Sequence, residues 1–261
     1  MFARLTAAIS VGAAALLLAG KASAFSVLIV NGMSASAESS TTRDITWQLN
    51  RLSTEAGNSV SVADTVPTDL SGYDQVWDLR FNGVGTLSGA ERDAYLDLLD
   101  DGKGLFLMGE NPSHRARNNS LLSFVEAAGG GSLGTRYVSD RQVVADNFSE
   151  PYGVLEVEYA SSEGVDGTGT GEWITYWGRA GSGVAWETGT LNSSGTLAMM
   201  LDANFMQSGG VGANENLVRN LIAFMDDSVS RGLAPVPVPA PIALLGLGLV
   251  SLFGLRARRK A

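Results

Sequence analysis

The sequence predicts an α/β fold in which helices flank a parallel sheet that carries an antiparallel β extension. Three observations point there. Short unbroken apolar runs, Phe25–Val30 and Gly104–Met108, suit strands buried on both faces. Segments with apolar residues at helical spacing lie between such runs. From residue 134 to 195 the pattern changes to alternation, as expected of antiparallel strands with one solvated face.

The elements follow in chain order. Phe25–Val30 is the first strand, ended by Asn31-Gly32. A helix is expected over Arg43–Ala56, where Ile45, Leu49 and Leu52 share a face and Gly57 stops it. Ser59–Ala63 and Tyr73–Leu79 read as the next two strands. Ser88 and Glu91 form a capping-box pattern, and Tyr95, Leu98 and Leu99 give the helix that follows its apolar face. Gly104–Met108 is a buried strand, and a helix over Asn118–Ala128 ends in three glycines. Residues Val154–Tyr159, Trp173–Trp177 and Val184–Glu187 alternate. Thr196–Leu201 returns to a buried strand, and Asn214–Ser230 supplies a closing helix. Strands and helices in this order imply right-handed crossovers and a parallel sheet.

The two ends differ from this middle. Arg4, the apolar stretch Leu5–Gly20 and the small residues Ala22-Ser23-Ala24 read as a secretory signal over residues 1–24, cut by signal peptidase before Phe25. An α/β ectodomain is expected over 25–232, with 134–195 as its β-rich extension. A proline-rich linker spans 233–241. An uncharged apolar segment follows at 242–255, and a basic tail at 256–261 contains Arg256, Arg258, Arg259 and Lys260. Fourteen residues make about 21 Å of helix, so the proline-alanine flank is needed to approach a bilayer core of about 30 Å. The basic tail is expected to stay cytoplasmic and the ectodomain outside.

Charge and composition narrow the chemistry. The chain of 261 residues carries a net charge of −9, but all 27 acidic residues lie between Glu38 and Asp227. Residues 25–240 contain twelve basic residues, a net of −15, which argues against nucleic-acid binding. With no cysteine, disulfides, thiolate metal sites and a cysteine nucleophile are excluded. A single histidine excludes a multi-histidine metal site within the chain.

Two resemblances add to this reading. Val236-Pro237-Val238-Pro239-Ala240, the short glycine-rich apolar segment and the terminal arginine cluster resemble a PEP-CTERM sorting signal of the VPLPA variant, with Val238 in place of the usual leucine. That resemblance implies a Gram-negative bacterium, an exosortase as processing partner, and transfer from the inner membrane to the cell surface or exopolysaccharide matrix. The middle resembles the class I glutamine-amidotransferase-like fold, a flavodoxin-like sheet, through Val27–Gly32, Tyr73–Leu79, Ser88–Asn111, Thr196–Phe205 and Asn216–Phe224. In catalytic members a cysteine follows the strand that here ends at Met108. Glu110 takes that place, so the resemblance implies a fold without amidotransferase activity.

Asn31, Asp78, Arg80, Glu110, Asn111, His114, Arg115, Asp202 and Asn204 are expected at the carboxyl ends of the strands, the edge where such sheets bind ligands. They suit a sugar or carboxylate. Asp78, Glu110 and Asp202 suit calcium, although no cofactor or metal is required. The competing reading makes Glu110 and Asn111 turn caps, pairs Arg115 with an acid and leaves His114 solvated. Ser113 and His114 make a poor triad, since no nucleophile elbow supports the serine. Trp173, Tyr176, Trp177 and Trp186 are candidates for a sugar-stacking surface, against a role in the core. The expected function is a non-catalytic binding or structural ectodomain in the envelope or exopolysaccharide. The rival is a surface-glycan hydrolase or lyase that uses Glu110 or Asp202.

Overall fold

The computed structural model describes residues 24–82, 85–210 and 212–233, with side chains described as far as Arg231. The expected leader up to Ser23, including Ala22, lies outside the described residues. So do the motif Val236–Ala240, the apolar segment and the basic residues Arg256, Arg258, Arg259 and Lys260. Among the described residues no helix is long and apolar enough to cross a membrane.

The elements are β1 (Ser26–Val30), α1 (Ser39–Glu55), β2 (Ser59–Ala63), β3 (Gln75–Asp78), α2 (Gly89–Asp100), β4 (Gly104–Met108), α3 (Arg115–Ala127), β5 (Thr135–Tyr137), β6 (Arg141–Val144), α4 (Asp146–Ser149), β7 (Glu156–Glu158), β8 (Glu163–Val165), β9 (Glu172–Trp177), β10 (Ala180–Trp186), β11 (Thr196–Met200) and α5 (Glu215–Leu233). They form a mixed α/β fold around one large sheet of order β2-β1-β3-β4-β11-β10-β9-β6-β7. The first five strands run parallel. From β11 onward each pairing is antiparallel. β8 pairs with β10 at Gly181 and carries β5 beside it.

The parallel strands are buried on both faces, which is why they read as continuous apolar runs rather than alternation. Val27, Ile29, Trp77, Phe106, Ala198 and Met200 pack on one side, against Ile45, Leu49 and Leu52 of α1 and Leu217, Leu221 and Met225 of α5. The alternate residues Leu28, Val30, Val76, Leu105, Leu107 and Met199 face α2 and α3 through Tyr95, Leu98, Leu99, Leu121 and Phe124. Period-two alternation of the side chains divides each strand between the two layers. Trp77 and Phe106 stack at 4.6 Å across β3 and β4.

Two helices begin earlier than their apolar spacing predicts. α1 starts at Ser39, not Arg43, because Thr42 is buried and its Oγ1 lies 2.6 Å from the Ser36 hydroxyl. α3 starts at Arg115, not Asn118, because Arg117 and Asn118 point inward with polar contacts that apolar spacing does not register. The capping box at Ser88 and Glu91 is complete in both directions and opens α2 at Gly89.

Candidate functional site

The sheet order reverses at β1, whose neighbours β2 and β3 lie on opposite sides. A crevice at the carboxyl ends of strands beside such a reversal is the usual ligand site of an open α/β sheet. The ends of β1, β3, β4 and β11 bring Asn31, Asp78, Glu110 and Asp202 to this edge. All four are buried there, and the three carboxyls fall into two groups with opposite electrostatics.

Asp78 sits in a cationic group. Its Oδ2 is 2.8 Å from Arg80 Nη2 and 2.9 Å from Arg117 Nη2, and it accepts from the Tyr95 hydroxyl at 3.0 Å. Its Oδ1 accepts from Arg80 Nε at 2.8 Å. Arg80 also pairs with Glu91, the acidic member of the capping box. Burial alone would raise the Asp78 carboxyl, but the charges of Arg117 and Arg80 and their hydrogen bonds hold it well below the usual range. Burial and the Asp78 charge push the Tyr95 hydroxyl up. Asp78 and Arg80 therefore tie β3 to α2 and α3, and their charges are turned on each other instead of toward a ligand.

Glu110 and Asp202 form the second group. Glu110 Oε1 accepts from the Asn111 amide at 3.0 Å, and Oε2 accepts from the Ala203 amide at 2.9 Å. One carboxylate thus ties the end of β4 to the end of β11. Asn118 accepts from the Glu110 amide and donates to Glu163, a buried acid on β8. Arg115 reaches Glu163 at 3.2 Å from the exposed side. Burial raises the Glu110 carboxyl, partly offset by the Asn111 and Ala203 amides and by His114. Asp202 Oδ1 accepts from the Asn204 amide at 2.6 Å, whereas Oδ2 has no hydrogen-bond partner among the described residues. Burial and the Glu110 charge push Asp202 up to about 7, despite the Asn204 and Ser161 amides.

The other expected site residues serve local turns. Asn31 Oδ1 accepts from the Met33 amide, and Asn111 Oδ1 accepts from the Ser113 amide as the cap of the short turn Pro112–His114. Asn204 Nδ2 donates to Gln207. Among the described residues no three acidic or histidine side chains are placed to hold a metal. Of the three carboxyls grouped for calcium, Asp78 is neutralised by two arginines, whereas Glu110 and Asp202 are not. The residues that sequence reasoning missed are Tyr95, Arg117, Asn118 and Glu163. Arg117 and Asn118 precede Leu121 and Leu122 by four residues, a helical spacing that hints at their inward position. Glu163 has no local signal.

The four aromatics weighed between a sugar-stacking surface and the core differ in exposure. Trp186 is fully buried, and its indole donates to the Gly130 carbonyl at 3.1 Å, so of the two alternatives it takes the core. Trp173 and Tyr176 are half-buried and stack on each other at 6.3 Å. Only Trp177 of the four stands in solvent, 58% exposed.

No family model matches the chain, and no sequence of a characterised protein matches it. Solved structures do. The chain is similar to the mmIFT52 N-terminal domain, with TM-score 0.54 and 14% identity over 81% of this chain and 100% of that one. It is also similar to a ThuA-like protein from Bacteroides uniformis ATCC 8492, with TM-score 0.49 and 17% identity over 77% of this chain and 89% of that one. A third similar structure is the exo-beta-1,4-mannosidase Op5Man5 from Opitutaceae bacterium strain TAV5, with TM-score 0.50 and 11% identity over 79% of this chain but 36% of that enzyme. At such identities the likeness is one of fold: a mixed α/β chain built on a large sheet.

Proposed function

We propose that the chain is an exported protein of the bacterial envelope, with a non-catalytic ectodomain that binds or helps to build exopolysaccharide. Its sheet is read as amidotransferase-like, supported by five parallel strands ordered β2-β1-β3-β4-β11 with the reversal at β1. The observation that carries the non-catalytic reading is Glu110. It stands where that fold's nucleophile would stand, and both its oxygens are occupied by the Asn111 and Ala203 amides. Export rests on the leader and on the sorting motif Val236–Ala240, with signal peptidase and an exosortase as processing partners. A cut before Phe25 is compatible with the fold, because β1 begins at Ser26 and Phe25 is already packed in the core. Deleting residues 236–261 in an exporting host is expected to abolish surface display and release the ectodomain into the periplasm. Unchanged display would reject the sorting reading.

One observation favours a second reading, a glycan hydrolase or lyase. Glu110 and Asp202 are neighbouring buried carboxyls, both raised, with Asp202 near neutrality, as a general acid requires. Turnover of a polysaccharide by the purified protein, lost in Glu110→Gln, would establish the enzyme over the binding reading. No turnover across neutral and acidic polysaccharides would leave the binding reading standing.

A further inference from the structure

β5 and the turn between β9 and β10 line a cleft of about 400 Å³, with Arg136, Tyr137, Ser139, Trp177 and Arg179 over Val138 and Ala180. Its size falls within the range of small-ligand sites. Three features set it apart. Tyr137 is 85% exposed and Trp177 58%, so two large aromatic side chains are left in water at the rim. The floor beneath them is packed, with Val138 and Ala180 buried. The backbone there is tightly built: Gly178 turns the chain at φ +63, and a Cβ on Gly181 would lie 2.1 Å from the Thr175 carbonyl oxygen. The aromatics are therefore held on a firm base.

The charges of the cleft are equally distinctive. Among the described residues the ion pairs engage most of the arginines but neither Arg136 nor Arg179. Both side chains are exposed. Residues 25–240 carry a net charge of −15, so a polyanion is repelled by the surface at large. Two unpaired guanidinium groups at one cleft make a local exception. Guanidinium groups bind carboxylates with directed hydrogen bonds, and flat aromatic faces take the apolar faces of sugar rings.

We infer that this cleft binds an acidic polysaccharide, with Tyr137 and Trp177 receiving sugar rings and Arg136 and Arg179 receiving uronate carboxylates. The inference rests on the envelope-binding reading above and names its ligand class. Neither Glu110 nor Asp202 lines the cleft, so the inference requires no catalysis.

The test is affinity electrophoresis of the full chain, extracted in mild detergent, through gels containing polygalacturonate, dextran or polyglutamate. Polygalacturonate is expected to retard the protein, and added salt to weaken the effect. Trp177→Ala and Tyr137→Ala are each expected to weaken retardation about tenfold, whereas Trp177→Phe keeps most of it. Arg136→Gln combined with Arg179→Gln is expected to remove the preference for polygalacturonate over dextran. All these side chains are exposed, so melting temperatures should stay unchanged and serve as the folding control. Absence of retardation by polygalacturonate, or equal retardation of Trp177→Ala, overturns the inference. Retardation by polyglutamate as strong as by polygalacturonate overturns it too, because charge alone then suffices. Surface display of Trp177→Ala separates the two claims. A variant displayed normally but unable to bind supports the cleft, and a wild-type chain displayed normally without binding sinks the cleft while export stands.

Discussion

At the scale of the residue, Asp78 and Asp202 are both fully buried carboxyls at strand ends, and their surroundings drive them in opposite directions. Asp78→Asn would leave Arg117 buried without a counter-charge and Arg80 with Glu91 alone. A loss of about 3–5 kcal/mol in urea unfolding at pH 7 is expected. Because the folded carboxyl of Asp78 is depressed, its contribution is present above the unfolded value near 4 and is lost as pH falls below that. Asp202 behaves in reverse. The fold holds its proton where the unfolded chain releases it, so stability declines as pH rises from about 4 toward about 7. Glu110 adds to the same trend, its carboxyl also being raised. Asp202→Asn keeps the Oδ1 acceptor for the Asn204 amide and removes the titration. Thermal melting at pH 4.5 and 7.5 should show the variant gaining on the wild type at the higher pH. An equal difference at both pH values would show that Asp202 is charged in the fold.

At the scale of the element, the turn after β4 depends on Gly109. A Cβ there would lie 2.5 Å from Asn118 Oδ1 and 2.5 Å from Leu201 Cδ2. Asn118 is the side chain that holds the Glu110 amide and Glu163, so it cannot give way without breaking those bonds. Gly109→Ala is expected to cost about 1–3 kcal/mol in chemical denaturation, the usual range for overpacking. Elements of this length were legible in the sequence where burial was apolar and periodic. The all-buried strands β1, β4 and β11 and the capped helix α2 read directly from residue type and spacing. β5, β6 and β8 did not, because three or four residues are too few to display a period. The early starts of α1 and α3 were likewise hidden, since Thr42, Arg117 and Asn118 are buried through polar contacts and not through hydrophobicity.

At the scale of the molecule, the parallel and antiparallel halves share one sheet through the β11–β10 ladder. One hydrophobic layer runs from Val27 and Ile29 to Val144, Phe148 and Ile174, crossing between the halves. A single thermal unfolding transition is therefore expected, with calorimetric and van't Hoff enthalpies in agreement. Two separated transitions would show that residues 134–195 unfold on their own.

The sequence by itself determined the α/β class, the succession of buried strands and amphipathic helices, the missing cysteine nucleophile and the contrast between basic ends and an acidic middle. These properties follow from local composition and period, which need no knowledge of distant neighbours. Only the tertiary structure decided that Asp78 is spent on Arg80 and Arg117, that Glu110 braces β4 against β11, and that Trp186 belongs to the core while Trp177 stands in water. It also brought Arg136 and Tyr137 beside Trp177 and Arg179, across some forty positions of chain. Charge state and exposure are set by what packs against a side chain, and those neighbours come from other strands and helices, where sequence spacing carries no record of them.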